Sequence, residues 1–217
     1  PDTLALNQAF TNETFMLENG LTKKTALTLF IPNSYEFYWN VSAKKIADKM
    51  AKEHKKFWNA ERLAKAKALN MTPAQVYTLA SIVHKETVKA DERPRVAGAY
   101  LNRIQQDMPL QADPTVIYAI KEKSGDFDQI IKRVGGSNLF VKSPYNTYIN
   151  KGLPPGPIAM PDISAIDAVL NAEKHNFIYF CADPNRPGYH SFETTYEAHM
   201  INAKKYAAWV NKLGIKL

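Results

Sequence analysis

Apolar positions recur every three to four residues along most of the chain, a spacing typical of amphipathic helices. Thr72 and Pro73 form a helix start signal, a good N-cap followed by a proline suited to the first turn. Two short segments, 177–182 and 189–192, have the composition of strands. Helices are predicted at 41–69, 73–88, 94–106, 116–120 and 163–174, with a last one capped by Thr194. Because helices outnumber strands and do not alternate with them, the predicted fold class is α+β, helix-rich with a small β-sheet and long cleft-forming loops.

A long irregular region between 121 and 162 is rich in turn residues. It contains Gly135-Gly136, SPYNTY at 143–148 and GLPPGP at 152–157. Aromatic and polar side chains alternate with these turns, and loops of this kind commonly carry binding residues. We therefore predict that the region forms loops around a ligand-binding cleft.

The helix predicted at 73–88 places a carboxyl on its apolar side. At about 100° per residue, Glu86 falls within the arc of apolar side chains. One interpretation is a solvated helix end, with Glu86 in water or paired with Arg93 or Arg95. The other is a partly dry pocket, where burial raises the carboxyl pKa and suits it to general acid catalysis. The helical pattern leaves both interpretations open.

Composition narrows the class of protein only a little. The chain has 217 residues, 45% hydrophobic and 23% charged, which is ordinary for a globular protein with its own core. The net charge of +7 favours polyanionic neighbours, yet the lysines are spread along helices as on a solvated face. No run of about 18 apolar residues is present, so we expect no membrane span in this sequence. The start Pro1-Asp2-Thr3 suggests that any anchor or export signal has been removed.

No signature of a metal or cofactor site stands out in the sequence. The single cysteine, Cys181, excludes an internal disulfide and fits a buried strand. The pair Gly135-Gly136 lacks the Lys-Ser/Thr of a phosphate-binding loop. None of the histidines lies in an HExxH or paired Cys/His pattern, and they are His54, His84, His175, His190 and His199. We therefore expect no metal and no cofactor.

Several ordered blocks resemble the endolytic murein transglycosylases, the MltG or YceG-like family. The blocks are ASIVxxET at 80–87, RVAGAYLNR at 95–103, LQADPTVIY at 110–118, YNTY at 145–148 and GLPPGPI at 152–158. FIPNSYE at 30–36 and GYHSF at 188–192, followed by Thr195 and His199, extend the resemblance over residues 30 to 210. Each block alone is a weak signal, and their common order makes the resemblance strong.

The resemblance implies a bacterial enzyme that cleaves nascent peptidoglycan strands internally, between N-acetylmuramic acid and N-acetylglucosamine, leaving a 1,6-anhydro-muramoyl end. It also implies a single-pass tether to the inner membrane, a catalytic part outside the cytoplasm and peptidoglycan synthases as partners. No nucleic acid partner is expected. Residues 1–40 would lead from a LysM-like subdomain, missing or truncated, and residues 41–217 would form the YceG-like catalytic domain.

Glu86 matches the position of the family's catalytic glutamate. Many members carry an acidic residue two positions earlier, where this chain has His84, and that departure argues against a second carboxylate there. We predict that Glu86 protonates the glycosidic oxygen and then, as carboxylate, accepts the proton of the muramoyl 6-hydroxyl. The predicted substrate-binding residues are Gln111, Asp113, Thr115, Tyr145, Asn146, Thr147, Tyr148 and His190.

Alternatives remain open on the residues alone. Asp113 either caps the helix that begins near Thr115 or orients sugar hydroxyls together with Gln111. If Asp113 lies across from Glu86, the enzyme could instead be a lysozyme-like hydrolase. His190 either faces the cleft or makes a structural hydrogen bond. A non-enzymatic basic module that binds an anionic polymer is the competing class.

Overall fold

A computed structural model describes residues 1–131 and 134–212 of the chain. The helices are α1 (Thr3–Phe10), α2 (Glu13–Glu18), α3 (Ala43–Phe57), α4 (Ala60–Ala68), α5 (Pro73–Glu86), α6 (Arg93–Gln105), α7 (Asp113–Ser124), α8 (Ile163–Leu170) and α9 (Tyr196–Lys212). The strands β1 (Tyr179–Ala182) and β2 (His190–Glu193) form an antiparallel pair, and short 3-10 turns lie at Ala26–Leu29 and Gly136–Phe140. This arrangement confirms the α+β class. In the described part of the chain, no helix combines the length and the apolar character needed to cross a membrane.

The centre of the fold is α5. Its start is the predicted one: the Thr72 side chain accepts a hydrogen bond from the backbone N–H of Gln75, whose side chain accepts one from the N–H of Thr72. α6, α7 and α8 pack around it, and every residue from Val76 to Val83 is buried. Such enclosure is typical of a core helix rather than of an amphipathic surface helix, and α5 is a core helix that ends at the cleft.

Thr78 and Ser81 are the polar residues that this enclosure buries. On a helical wheel Ser81 lies opposite the apolar arc that contains Glu86, yet the structure buries it completely. Its hydroxyl donates to the carbonyl of Thr78 at 2.7 Å and accepts from the backbone N–H of Ile158 at 3.0 Å. These two bonds fasten the Pro/Gly-rich loop to the core helix, because the buried Ser81 hydroxyl bonds a backbone group of each.

Several helix bounds differ from the predicted ones. The single helix predicted at 41–69 is two helices, because Trp58 is buried at the break and Asn59 caps α4 by accepting the N–H of Arg62. The final helix begins one residue later than predicted, and the Thr195 hydroxyl, not that of Thr194, caps it by accepting the N–H of Ala198. These errors are of the size expected where a local cap competes with periodicity.

The β-hairpin is held against α6 by residues on one face of that helix. The amide of Asn102 donates to the carbonyls of His175 at 2.8 Å and Phe177 at 2.9 Å, just ahead of β1. Gly98 lies one turn earlier on α6, and a Cβ there would collide with the carbonyl of Glu173 and the imidazole of His175. Close backbone approach at Gly98 therefore sets how the hairpin sits over the end of α5.

The N-terminal helices join the rest through a second apolar cluster. α1 packs on α3 and on α2, and buried Leu29 and Met50 lie among half-buried aromatic side chains such as Phe10 and Phe15. The cluster therefore draws on residues from both sides of position 40. The division of the chain at that position remains a prediction.

Candidate active site

Glu86, the last residue of α5, lies in a cleft of about 310 Å³. Segments far apart in the sequence form its walls: α6, the start of α7, the loop before α8 and the β-hairpin. The polar side chains that line it with Glu86 are Tyr100, Arg103, Gln111, Asp113, Tyr148 and His190. The structure thus brings together Glu86 and four of the eight predicted substrate-binding residues.

The carboxyl of Glu86 is half-buried and is held by a hydrogen bond from the protein. The hydroxyl of Tyr100, which is buried, donates to Oε2 of Glu86 at 3.1 Å. Arg95 bonds Glu173 at 3.0 Å, and Arg93 bonds Ser164 at 2.6 Å. Because both arginines bond residues of α8 or of the segment after it, and Glu86 bonds Tyr100 instead, the structure favours the dry-pocket interpretation over the solvated, paired one.

Burial raises the pKa of Glu86 to about 7, because protein atoms replace the water that would stabilise its charge. The charge of Asp113 raises it further, and the negative C-terminal end of the α5 dipole acts in the same direction. His190, the Tyr100 hydroxyl and Arg103 stabilise the carboxylate and oppose the rise. Near neutral pH the group can therefore both release and accept a proton, which general acid-base catalysis requires.

Asp113 lies in the same cleft as Glu86. It is the first residue of α7, and the cap position before it is occupied by Ala112, so Asp113 is not the N-cap. Its Oδ1 accepts a hydrogen bond from the Tyr148 hydroxyl at 2.6 Å. Burial of the ring, and then the bond to Asp113, raise the pKa of Tyr148 well above its ordinary value, so Tyr148 acts as a donor here.

Gln111 adopts a left-handed backbone conformation, with φ of 51°, which is uncommon for a residue other than glycine. Its N–H donates to the carbonyl of Thr147, and its Oε1 accepts from Nη1 of Arg103 at 3.3 Å. Backbone strain of this kind persists only where surrounding contacts enforce it, and it concentrates at functional sites. The contacts place the exposed Gln111 side chain at the cleft.

Four of the predicted sugar contacts lie behind the cleft wall instead of on it. Tyr145, Asn146, Thr147 and Thr115 are all buried. The Thr115 and Thr147 hydroxyls bond each other at 2.8 Å, and the Asn146 amide donates to two backbone carbonyls of its own loop. The polar atoms of Thr115, Asn146 and Thr147 are thus used within the protein, bonding each other or backbone groups at 112, 139, 141 and 147–148. They differ from the prediction because the loop folds back on itself, which composition does not reveal.

Arg103 and Tyr100 are site residues that sequence reasoning missed. Both lie in the RVAGAYLNR block, three residues apart on one face of α6. Arg103 is nearly buried and donates to the carbonyls of Ile178 at 2.6 Å and Leu110 at 2.8 Å. It ties β1 and the segment before α7 to α6. The helical spacing within the block was the signal that could have found them.

His190 faces the cleft, and its other side is bonded to Glu92, also missed from the sequence. Oε2 of Glu92 lies 2.8 Å from Nδ1 of His190, and Oε1 accepts the backbone N–H of His190 at 2.7 Å. Glu92 is 6% exposed. His190 therefore has both of the arrangements considered from the sequence. Its Nδ1 atom makes a structural hydrogen bond, and the ring lines the cleft.

Neither His84 nor Cys181, the other reactive side chains considered from the sequence, is placed for catalysis. His84 contacts Asp162 and Arg93 outside the cleft, and desolvation lowers its pKa. Cys181 lines the cleft rather than a closed core, and burial raises its thiol pKa, which disfavours the nucleophilic thiolate. Across residues 1–131 and 134–212, no group of three or more His, Cys, Asp or Glu side chains is placed to hold a metal ion.

Fold and cleft together define a helix-rich α+β domain with a carboxyl group arranged for general acid-base chemistry. The chain belongs to the YceG-like family, whose sequence model matches residues 3–205, and this confirms the family predicted from the sequence blocks. A putative YceG-like protein from Listeria monocytogenes shares the fold, with a TM-score of 0.75 and 29% identity over 93% of this chain and 67% of that one.

Two curated relatives are similar over part of their length. The endolytic murein transglycosylase of Bacillus subtilis (strain 168) is 36% identical over 138 residues, covering 64% of this chain and 36% of the relative. The endolytic murein transglycosylase of Streptococcus pneumoniae serotype 2 (strain D39 / NCTC 7466) is 38% identical over 117 residues, covering 54% of this chain and 21% of the relative. The matched segments thus amount to about a third and about a fifth of these two proteins.

Proposed function

We propose that this chain is the catalytic part of an endolytic lytic transglycosylase that cleaves peptidoglycan glycan strands. The observation that carries the proposal is Glu86, a cleft carboxyl with a pKa of about 7 that bonds the buried Tyr100 hydroxyl. The curated relatives, which carry the name endolytic murein transglycosylase, supply the substrate class. The proposed place of action is the wall outside the cytoplasm, with a membrane anchor and synthase partners in the complete protein.

The proposed reaction uses one carboxyl for two proton transfers. Protonated Glu86 donates to the glycosidic oxygen as the bond from that oxygen to the anomeric carbon breaks, and the ring passes through an oxocarbenium-like state. The resulting carboxylate then accepts the proton of the muramoyl 6-hydroxyl, whose oxygen bonds the anomeric carbon and closes the anhydro ring. The carboxyl ends as it began, protonated, so no other acid or base is required.

The Tyr100 hydroxyl supports both steps. It donates to the carboxylate form of Glu86 and thereby stabilises the state that exists between the two transfers. The exposed polar atoms of Gln111, Asp113 and Tyr148 then bind sugar hydroxyls, since these side chains line the cleft. In the same proposal, Thr115 and the 145–147 residues hold the wall from behind.

A muramidase is the second candidate, because Asp113 shares the cleft with Glu86. In a hydrolase, Asp113 would act as nucleophile or would activate water, and the product would carry a reducing muramic acid end. The bond between Asp113 and the Tyr148 hydroxyl favours a binding role for this carboxylate instead. Asp113→Asn should therefore weaken substrate binding while the products keep anhydro ends.

The test is digestion of purified peptidoglycan followed by mass spectrometry of the glycan ends. Wild type should yield anhydro-muramoyl ends. Glu86→Gln should bind glycan like wild type and lose at least about 100-fold in rate, because a positioned general acid-base group contributes about that much or more. Wild-type cleavage rates in Glu86→Gln, or reducing ends from the wild-type enzyme, would refute the proposed chemistry.

A matched control is Glu18→Gln, which makes the same change at an exposed residue that ends α2. It should cleave like wild type. Salt dependence tests the competing class, a non-enzymatic polymer-binding module. Such a module would bind glycan without cleaving it, its affinity would fall steeply with ionic strength, and loss of Glu86 would not change its binding.

A further inference from the structure

The turn between α5 and α6 carries a buried carboxylate that bonds His190, a residue of the cleft wall. Glu92 is 6% exposed and lies 98 residues before His190 in the sequence. Both of its oxygens are used by that one residue: Oε1 accepts the backbone N–H at 2.7 Å and Oε2 pairs with ring Nδ1 at 2.8 Å. The same turn therefore fixes both the position of β2 and the orientation of the imidazole.

The hydrogen-bond inventory then determines where the imidazole proton lies. An ionised carboxylate can only accept, so Nδ1 of His190 must carry a hydrogen. In the neutral ring this leaves a lone pair on Nε2, which makes no hydrogen bond to any residue that the structure describes. Phe180 meets the imidazole nearly edge to face, with ring centroids 5.4 Å apart at 84°. The ring is thus fixed in plane and tautomer, and it lines the cleft beside Glu86.

We propose that Glu92 is a positioning residue: it holds His190 as the Nδ1–H tautomer so that Nε2 accepts a hydrogen bond from a sugar hydroxyl of the glycan. The inference rests on the proposed function for the identity of the ligand. Buried carboxylates commonly fix the tautomer of a functional histidine in this way.

A purely structural role is the competing explanation, because the Glu92 contacts also fasten the hairpin to the turn. Replacing Glu92 by glutamine separates the two roles. The amide oxygen can still accept the backbone N–H of His190, and the amide N–H can donate to Nδ1, so the hairpin stays fastened. The ring proton must then move to Nε2, which turns this atom from an acceptor into a donor.

The neighbouring residue provides a matched control. Asp91 accepts hydrogen bonds from the Tyr189 hydroxyl at 3.1 and 3.3 Å, so it also links this turn to the residue beside His190. Asp91→Asn makes the same carboxyl-to-amide change in the same link without touching the imidazole. If fastening alone matters, Asp91→Asn and Glu92→Gln should behave alike.

The experiment measures the imidazole tautomer and cleavage kinetics in the same proteins. Long-range nitrogen–proton NMR at pH 8 should show the His190 hydrogen on Nδ1 in wild type and Asp91→Asn, and on Nε2 in Glu92→Gln. Glu92→Gln should lose on the order of 10-fold to 100-fold in kcat/KM, the effect of one misdirected polar contact to substrate. Its thermal unfolding should match wild type, and His190→Ala should cause little further loss in the double variant.

Three results would overturn the inference. They are an unchanged tautomer in Glu92→Gln, a changed tautomer with wild-type cleavage, and an equal loss of activity in Asp91→Asn. Failure of the proposed function would be detected separately, because wild type and Glu86→Gln would then show the same cleavage rate on the same glycan. The tautomer measurement needs no turnover, so it tests the role of Glu92 in either event.

Discussion

Replacing Glu86 by glutamine should stabilise the folded protein at alkaline pH and leave its stability unchanged in acid. The carboxyl has an ordinary pKa of 4.5, whereas burial raises its pKa in the folded protein to about 7. Glutamine has nearly the same shape and keeps an oxygen that can accept from the Tyr100 hydroxyl. Because the amide never ionises, the variant isolates the free energy of burying this one charge.

The magnitude follows from the linkage between proton binding and folding. Below about pH 4.5 both states are protonated, and the free energy of unfolding does not depend on this group. Between about pH 4.5 and 7 the unfolded chain ionises first, so the wild type loses stability as pH rises. The two pKa values differ by about 2.5, so the loss reaches up to about 3 kcal/mol above neutral pH.

The assay is urea denaturation of both proteins across pH 4.5 to 9, followed by circular dichroism. The free energy of unfolding of Glu86→Gln should increasingly exceed that of wild type between roughly pH 5 and 7, and the difference should then stay constant. Glu18→Gln controls for replacing a carboxyl by an amide at an exposed helix end. A difference that is equal at pH 5 and pH 8, or a wild type that is the more stable protein at pH 8, would refute the reasoning.

Three further predictions concern the walls of the cleft. Tyr100→Phe removes a hydrogen bond to the carboxylate form of Glu86, so the pKa of Glu86 should rise. The alkaline limb of the pH–rate profile should then move to higher pH by about one unit or more. A limb that stays in place or moves to lower pH contradicts this. Gly98→Ala pushes a methyl group into the carbonyl of Glu173 and the imidazole of His175, and it should lower the free energy of unfolding by about 1–3 kcal/mol in urea. The control is Gly135→Ala, whose added methyl group meets open space on extended backbone. Asn102→Ala leaves two backbone carbonyls ahead of β1 unpaired and should cost about 1–3 kcal/mol, with a fall in cleavage because the hairpin loosens; unchanged stability would show that water replaces the amide.

Local sequence determined much of the fold. The Thr72-Pro73 signal starts α5 where predicted, and the helical periodicity and the two strand segments account for the α+β class. The ordered blocks identified the family, and the apolar arc around Glu86 showed that its position on α5 was unusual. These features depend on neighbours within a few residues, so a reading along the chain can detect them.

Tertiary structure decided which side chains reach the cleft. The aromatic and amide residues at 145–147 have the composition of a sugar-binding loop, yet they are buried because the loop closes on Thr115. Gln111, by contrast, is turned to the cleft by a left-handed backbone that composition does not foretell. Whether a polar atom is free for a ligand depends on which backbone groups it must satisfy after packing.

The chemistry of Glu86 shows the same division most clearly. Sequence alone identified the carboxyl and left open whether it was solvated or dry. Its raised pKa comes from burial in the cleft, and its stabilising partners are His190 and Tyr100, the former held by a carboxylate 98 residues away. Desolvation and charge–charge interactions act through space, so only the folded arrangement of distant segments could set the pKa of this residue.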